Sequence, residues 1–269
     1  MRGILLLVLL VLAAPLAAAS RVVSLAPSLS EIIVELHATD LLVGMLDGGE
    51  RPAAVAQVPS VGRYGQIDME RLLSLKPDLL LLWPGSVPAA QRDQLKRLGI
   101  ATYTAEPHGI DELIEQIEAI GVQLGRAEQG RTRALQLREQ LQKLRAQYHR
   151  EQPLRVFYQV WDKPLYTVGG GQIVSDALAV CGASNVFAEL KVPAPQVNLE
   201  SVLLRDPQVI LASDQAQLDA WKAWPQVDAV RNGRLLLVPD KGLERPSGQM
   251  IEATARLCQV LDAKAPVSR

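Results

Sequence analysis

The chain has 269 residues, with 28 Lys or Arg against 29 Asp or Glu and a formal net charge of -1 at pH 7. No long basic run interrupts that balance, which disfavours nucleic-acid binding because the electrostatic footprint for phosphates is missing. Hydrophobic residues make up 48 % of the chain, enough at this length for two domains of moderate size, each with a core.

Arg2 precedes the apolar run ILLLVLLVLAA at 4–14, and Ala17-Ala18-Ala19 ahead of Ser20 forms an A-x-A cleavage pattern. The run is too short to span a bilayer, where about 20 apolar residues are needed. A cleaved export signal over residues 1–19 is expected, with a retained membrane anchor as the alternative. No cysteine stands at the cleavage site to accept lipid.

The mature chain opens with RVVSLAPSLSEIIVELHA at 21–38, where Val22 to Leu25 suit a strand and Ser28 or Ser30 suits the cap of a following helix. LLVGMLD at 41–47 is a second strand candidate, and the proline-containing stretch at 50–65 reads as a loop. QIDMERLLSLKPDLLLL at 66–82 then predicts a short helix capped by Asp68, stopped near Pro77 and followed by a buried strand. A helix over 91–98 and a strand over 100–104 come next. Leu113, Ile117, Ile120 and Leu124 stand at helical spacing within 109–125, and the charged stretch 126–150 fits one long helix.

The second half begins with the strand LRVFYQV at 154–160, then a glycine turn and helix in YTVGGGQIVSDALAVCG. QVNLESVLLRDPQVILA at 196–212 repeats the pattern of 66–82, with Asn198 as the cap and Glu200 and Pro207 matching Glu70 and Pro77. A short helix carrying Trp221 and Trp224, the strand RLLLVP and a closing helix at 247–263 follow. The alternation and the matched repeats predict an α/β chain of two Rossmann-like lobes with mostly parallel sheets. These occupy 20–125 and 151–269 and are joined by one long backbone helix at 126–150. A single larger doubly wound domain is the alternative. Cys181 and Cys258 are the only cysteines, and in an exported chain they suggest a disulfide from the second half's first helix to its last, against two free thiols.

Signals for catalysis are poor. His37, His108 and His149 lack metal-ligand spacing, VGGGQ at 168–172 meets neither the Walker nor the dinucleotide pattern, and no G-x-S-x-G elbow occurs. The glycine run reads as a tight turn against the neighbouring lobe. No catalytic, metal or cofactor site is expected, and a hydrolase triad assembled from distant residues is the remote alternative. Aromatic residues are only 4 % of the chain, yet of Tyr64, Trp83, Trp161 and Tyr166 three fall outside the carboxyl ends of strands or in the next loop, where open α/β sheets bind ligands. Such surfaces suit a large, flat, partly apolar ligand.

An exported chain with SLAPSLSEI, LKPDLLL, a long mid-chain helix and YTVGGGQIVSDALAVCG resembles the helical-backbone class of periplasmic substrate-binding proteins of ABC importers. The resemblance covers nearly all of the mature chain and is nearest to the class's cobalamin carriers. They have a segment like Glu70 to Leu79, then a tryptophan facing the corrin ring that Trp83 matches, a V-P-x-P-Q-V segment matched at 192–197, and paired cysteines matched by Cys181 and Cys258. The resemblance implies a cleft lined by Tyr64, Trp83, Tyr166 and the loop 240–245 with Gly242, Glu244 and Arg245. Ala194 stands where those carriers have tryptophan, and Asp47-Gly48-Gly49 where they have tyrosine, which brings Trp161 forward as a substitute surface. It also implies that Glu70 and Glu200 dock to arginines of a dimeric permease in the inner membrane, which works with a cytoplasmic ATPase. First-turn helix capping is the alternative role for both glutamates. Haem, with Tyr64, Tyr166 or a histidine as axial ligand, and a ferric siderophore held by Arg63 and Arg245 are the other cargoes considered.

Overall fold

The computed structural model describes residues 19–48 and 51–263, so the expected export signal lies outside the described residues except for Ala19. The first lobe runs β1 (Val22–Ser24), α1 (Pro27–Glu35), β2 (Leu42–Asp47), β3 (Ser60–Arg63), β4 (Gln66–Ile67), α2 (Met69–Ser74), β5 (Leu79–Leu82), α3 (Ala89–Arg97) and β6 (Ala101–Thr104). Its strands lie in the order β4-β3-β2-β1-β5-β6, parallel except for the β3–β4 hairpin. Runs such as Leu79–Leu82 are buried at every position, as a parallel strand covered on both faces must be.

Two helices follow, α4 (Ile110–Gln123) and α5 (Ala127–Gln147). The long charged helix is therefore present, but it folds back on α4 as a helical hairpin. The bend is made by Gly125 at φ 65°, and the helices touch where a Cβ on Gly121 would lie 2.9 Å from the Gly130 Cα. At 1.5 Å per residue α5 is about 30 Å long, enough to run beside both lobes.

The second lobe comprises β7 (Leu154–Asp162), β8 (Leu165–Thr167), α6 (Ile173–Val180), β9 (Ala183–Asn185), α7 (Leu199–Arg205), β10 (Val209–Ala212), α8 (Gln215–Ala220), α9 (Asp228–Arg231), β11 (Leu235–Leu237) and α10 (Gln249–Asp262). Its sheet runs β11-β10-β7-β8, with β9 also on β7. Cys181 at the end of α6 is bonded to Cys258 in α10 at 2.02 Å, across 77 residues of sequence. One apolar core runs from Val22, Ile32 and Ile33 through Ile114, Ile117, Leu137 and Leu141 to Val156 and Leu257. The lobes are thus welded through the helical hairpin, while the outer face of each sheet has its own smaller core.

Three local expectations change. Neither Ser28 nor Ser30 caps α1: Ala26 holds the N-cap, Pro27 takes the first helical position, and Ser30 is buried with its hydroxyl 2.9 Å from that of Ser24. The stretch read as a loop at 50–65 contains β3, whose pairing with β2 is a tertiary contact that local composition does not announce. The glycine run turns chiefly against its own lobe. A Cβ on Gly169 would lie 2.1 Å from the Val192 carbonyl oxygen and one on Gly170 1.8 Å from that of Ala188.

Candidate functional site

On the first lobe, Tyr64 sits at the turn of the β3–β4 hairpin and Trp83 directly after β5. Ser86 joins the two places. Its carbonyl accepts from Gly65 N at 3.0 Å, its own N donates to the Trp83 carbonyl at 3.0 Å, and its buried hydroxyl donates to the Leu25 carbonyl. The Tyr64 and Trp83 rings stand 6.0 Å apart at 44°, and Tyr64 is 59 % exposed. Gly85 leaves room for the Trp83 ring, since a Cβ there would lie 2.8 Å from it. Two aromatic surfaces separated by 19 positions in sequence thus form one wall, able to stack on a flat ligand. Arg63 donates to the Gln66 side chain at 2.8 Å beside them.

On the second lobe, Tyr166 and Trp161 are register partners across the β7–β8 hairpin, and Tyr166 also bridges to Gln196. The proline-rich segment lies along this hairpin. Thr167 N donates to the Pro195 carbonyl at 3.1 Å, Gly169 N to that of Pro193 at 3.0 Å, and Gly170 N to that of Leu190 at 2.9 Å. The missing side chains at Gly169 and Gly170 are what allow this approach. Trp161 is 57 % exposed and lines a groove with Trp221 and Trp224, built wholly from second-lobe residues. Trp221 packs edge-on against Phe157 at 5.6 Å and donates its indole N–H to Gln159 at 2.7 Å, which accounts for its burial.

The 240–245 loop meets the first lobe in a way that the sequence did not reveal. Glu31 of α1, only 3 % exposed, accepts from Arg245 Nη1 and from Ser247 Oγ, each at 2.8 Å. One helical turn on, Glu35 accepts from Gly248 N and from Arg133 Nε of α5, each at 2.9 Å. Arg245 therefore stands at an ionic joint between the lobes. Beside it, exposed Glu244 accepts from the buried Tyr158 hydroxyl at 3.3 Å, and burial, with the Glu244 charge, pushes the Tyr158 phenol well up. Gly242 is buried under α10, its N donating to Asp240 at 2.7 Å, so it shapes the loop from within. The only hint in the sequence was two acids four residues apart that bracket the apolar run Ile32-Ile33-Val34.

Burial raises the Glu35 carboxyl pKa, the Arg133 charge and hydrogen bond and the Gly248 N–H pull it down, and the like charge of Glu31 adds to the rise, which prevails. A raised native pKa means that the folded state holds the proton more tightly than the unfolded state. The associated stability is present below the ordinary value of 4.5 and is lost as pH rises through the native value. Glu35→Gln is expected to flatten that part of the stability profile, as measured by urea unfolding at stepped pH.

Glu70 and Glu200 occupy the second position of α2 and α7 and are exposed. Capping is done by their neighbours: Asp68 accepts from Arg71 N at 2.9 Å and Asn198 from Ser201 N at 2.8 Å. Among the described residues neither glutamate has a hydrogen-bond or salt-bridge partner, so each lobe presents an unengaged carboxylate at a matched place.

A model of the family described as periplasmic binding protein matches residues 22–241. The vitamin B12-binding protein of Vibrio cholerae serotype O1 is 35 % identical over 246 residues, covering 90 % of this chain and 89 % of that protein. That of Yersinia pseudotuberculosis is 34 % identical over 261 residues, covering 96 % and 92 %. Among solved structures, the periplasmic vitamin B12 binding protein of Vibrio cholerae superposes with a TM-score of 0.82 at 34 % identity, covering 90 % of this chain and 96 % of that one. The periplasmic haem binding protein of the same organism shares the fold, with a TM-score of 0.77 at 20 % identity and coverage of 90 % and 99 %.

Proposed function

The chain belongs to the periplasmic binding protein family, and on that premise we propose that it captures cobalamin or a related corrinoid between its lobes and delivers it to an ABC permease. The observation that carries this reading is near full-length identity of about a third to vitamin B12-binding proteins. The Tyr64–Trp83 wall supports it, because a corrin is large, flat and partly apolar. The haem carrier shares the fold alone, so haem and ferric siderophores are outcomes of the test rather than equal readings. The role is capture and hand-over, with no bond made or broken in the cargo.

In this reading residues 1–19 are a leader removed on export to the periplasm, 20–125 and 151–269 are the lobes, and 126–150 is the linking helix. Tyr64 and Trp83 stack on the ring, Tyr166 and Trp161 form the facing rim, and Gly242, Glu244 and Arg245 shape the cleft between the lobes. Joining the lobes through one core favours a small closure over a wide hinge. Glu70 and Glu200 dock to the two halves of a dimeric permease, served by its cytoplasmic ATPase.

Charge reversal at both positions, Glu70→Arg with Glu200→Arg, is expected to abolish uptake in cells while leaving cyanocobalamin affinity of the purified protein within about twofold. Surface charge changes away from a bound ligand have small effects on folding, about 0.5 kcal/mol or less. Uptake that survives the double reversal would refute the docking assignment and leave the cargo reading standing.

A further inference from the structure

The two lobes begin with the same clasp. In the second, Arg155 N donates to Gln208 Oε1 at 3.0 Å, Gln208 N returns to the Arg155 carbonyl at 2.8 Å, and the Arg155 guanidinium reaches the Asp206 carbonyl at 2.9 Å. In the first, Arg21 N donates to Asp78 Oδ1 at 2.9 Å, Asp78 N returns to the Arg21 carbonyl at 2.9 Å, and the Arg21 guanidinium reaches the Leu75 and Lys76 carbonyls. Asp78 and Gln208 hold the same place in the repeat, directly after Pro77 and Pro207. One lobe uses a neutral amide and the other a carboxylate.

What differs is the residue ahead of the clasp. Leu154 N is taken by the Gly182 carbonyl at 3.1 Å, which leaves Gln208 nothing further to bind there. Ser20 instead gives both its N, at 2.9 Å, and its hydroxyl, at 2.6 Å, to the second Asp78 oxygen. Burial alone would raise the Asp78 pKa, but the Ser20 hydroxyl and the Arg21 and Ser20 N–H groups outweigh it and hold the carboxyl ionised to lower pH. A neutral amide would serve a peptide N–H as well. A carboxylate is the group suited to a cation.

We propose that the leader is cut between Ala19 and Ser20 and that Asp78 is the binding site for the α-ammonium this creates. The inference rests on the leader assigned above and on nothing about the cargo. A leader peptidase of the export route adds water across the Ala19–Ser20 amide: the oxygen goes to the Ala19 carboxylate and the protons to the Ser20 nitrogen. In the folded mature chain the new cation then occupies the place of the Ser20 N, 2.9 Å from Asp78 Oδ2, so the segment leading into β1 gains an ion pair only after processing.

The test is a cycle of charge and chain end. Protein recovered from the periplasm is expected to begin at Ser20 by intact mass and N-terminal sequencing. Its α-amino group is expected to titrate above the ordinary range of about 7.7–8.0, followed by amine labelling against pH. In that protein Asp78→Asn should lower the Tm by about 2 °C and return the amine to the ordinary range. In a version carrying two extra alanines ahead of Ser20, the same substitution should lower the Tm by less than half as much. A different first residue, an ordinary amine titration, or an equal Tm loss in both versions would overturn the proposal. Cyanocobalamin titration of the same samples judges the cargo reading separately, since the clasp does not depend on it.

Discussion

Glu31→Ala is expected to cost about 3 kcal/mol of folding stability, at the lower end for a broken buried ion pair because the Arg245 head keeps some access to water. The substitution removes both carboxylate oxygens from a site where Arg245 and Ser247 donate at 2.8 Å, leaving two donors of the second lobe without their acceptor. Glu31→Gln keeps one acceptor for Arg245 and lets its amide donate to the Ser247 hydroxyl, so about 1 kcal/mol is the expected loss. Urea unfolding measures both. A cost for Glu31→Ala no larger than that of an exposed pair would mean that the joint between the lobes is not held by this carboxylate. Because the same carboxylate fixes Arg245 at the proposed cleft, cyanocobalamin affinity should fall with stability, and should fall no further when Glu31→Ala is added to Arg245→Ala.

Gly170→Ala is expected to be at least as disruptive as Glu31→Ala, costing about 3 kcal/mol by overpacking against rigid backbone. The new methyl would sit 1.8 Å from the Ala188 carbonyl oxygen, and no side-chain rotation relieves a clash with main chain. The segment 188–196 must move away, breaking the hydrogen bonds from Thr167, Gly169 and Gly170 that hold it along the β7–β8 hairpin. That segment carries the bridge to Tyr166, so ligand affinity should be lost along with stability. Gly171→Ala is the internal control. Its Cβ would meet nothing within 4 Å, and only its φ of 76° opposes a side chain, so a cost of about 1 kcal/mol is expected. Thermal unfolding of the two variants that gave equal losses would show that backbone conformation, not the close approach, explains the glycine run.

These two sites also show where sequence reading succeeds and where it stops. The caps of α2 and α7 were legible because the bond from Asp68 or Asn198 to the N–H three residues on is local. The buried strands after Pro77 and Pro207 were legible because a run of apolar residues bounded by proline has few other uses. The disulfide followed from the compartment and the cysteine count rather than from spacing. By contrast, the joint between Glu31 and Arg245 spans 214 positions, and Gly169 and Gly170 owe their identity to a segment about twenty residues ahead. Tyr64 and Trp83 were each singled out as scarce aromatics, but that Ser86 pins them together is a tertiary fact. Ser28 and Ser30 were misread as caps for a local reason: Pro27 starts the helix earlier than either serine allows.

Calorimetric titration of the mature protein with cyanocobalamin, with haem and a ferric siderophore run alongside, is the most direct test of the cargo. One-to-one binding of cyanocobalamin, weakened by at least about tenfold in Trp83→Ala, is the predicted result, since truncating a stacked aromatic anchor typically costs more than 1 kcal/mol. No heat with cyanocobalamin, and saturable binding of haem or the siderophore instead, would contradict it.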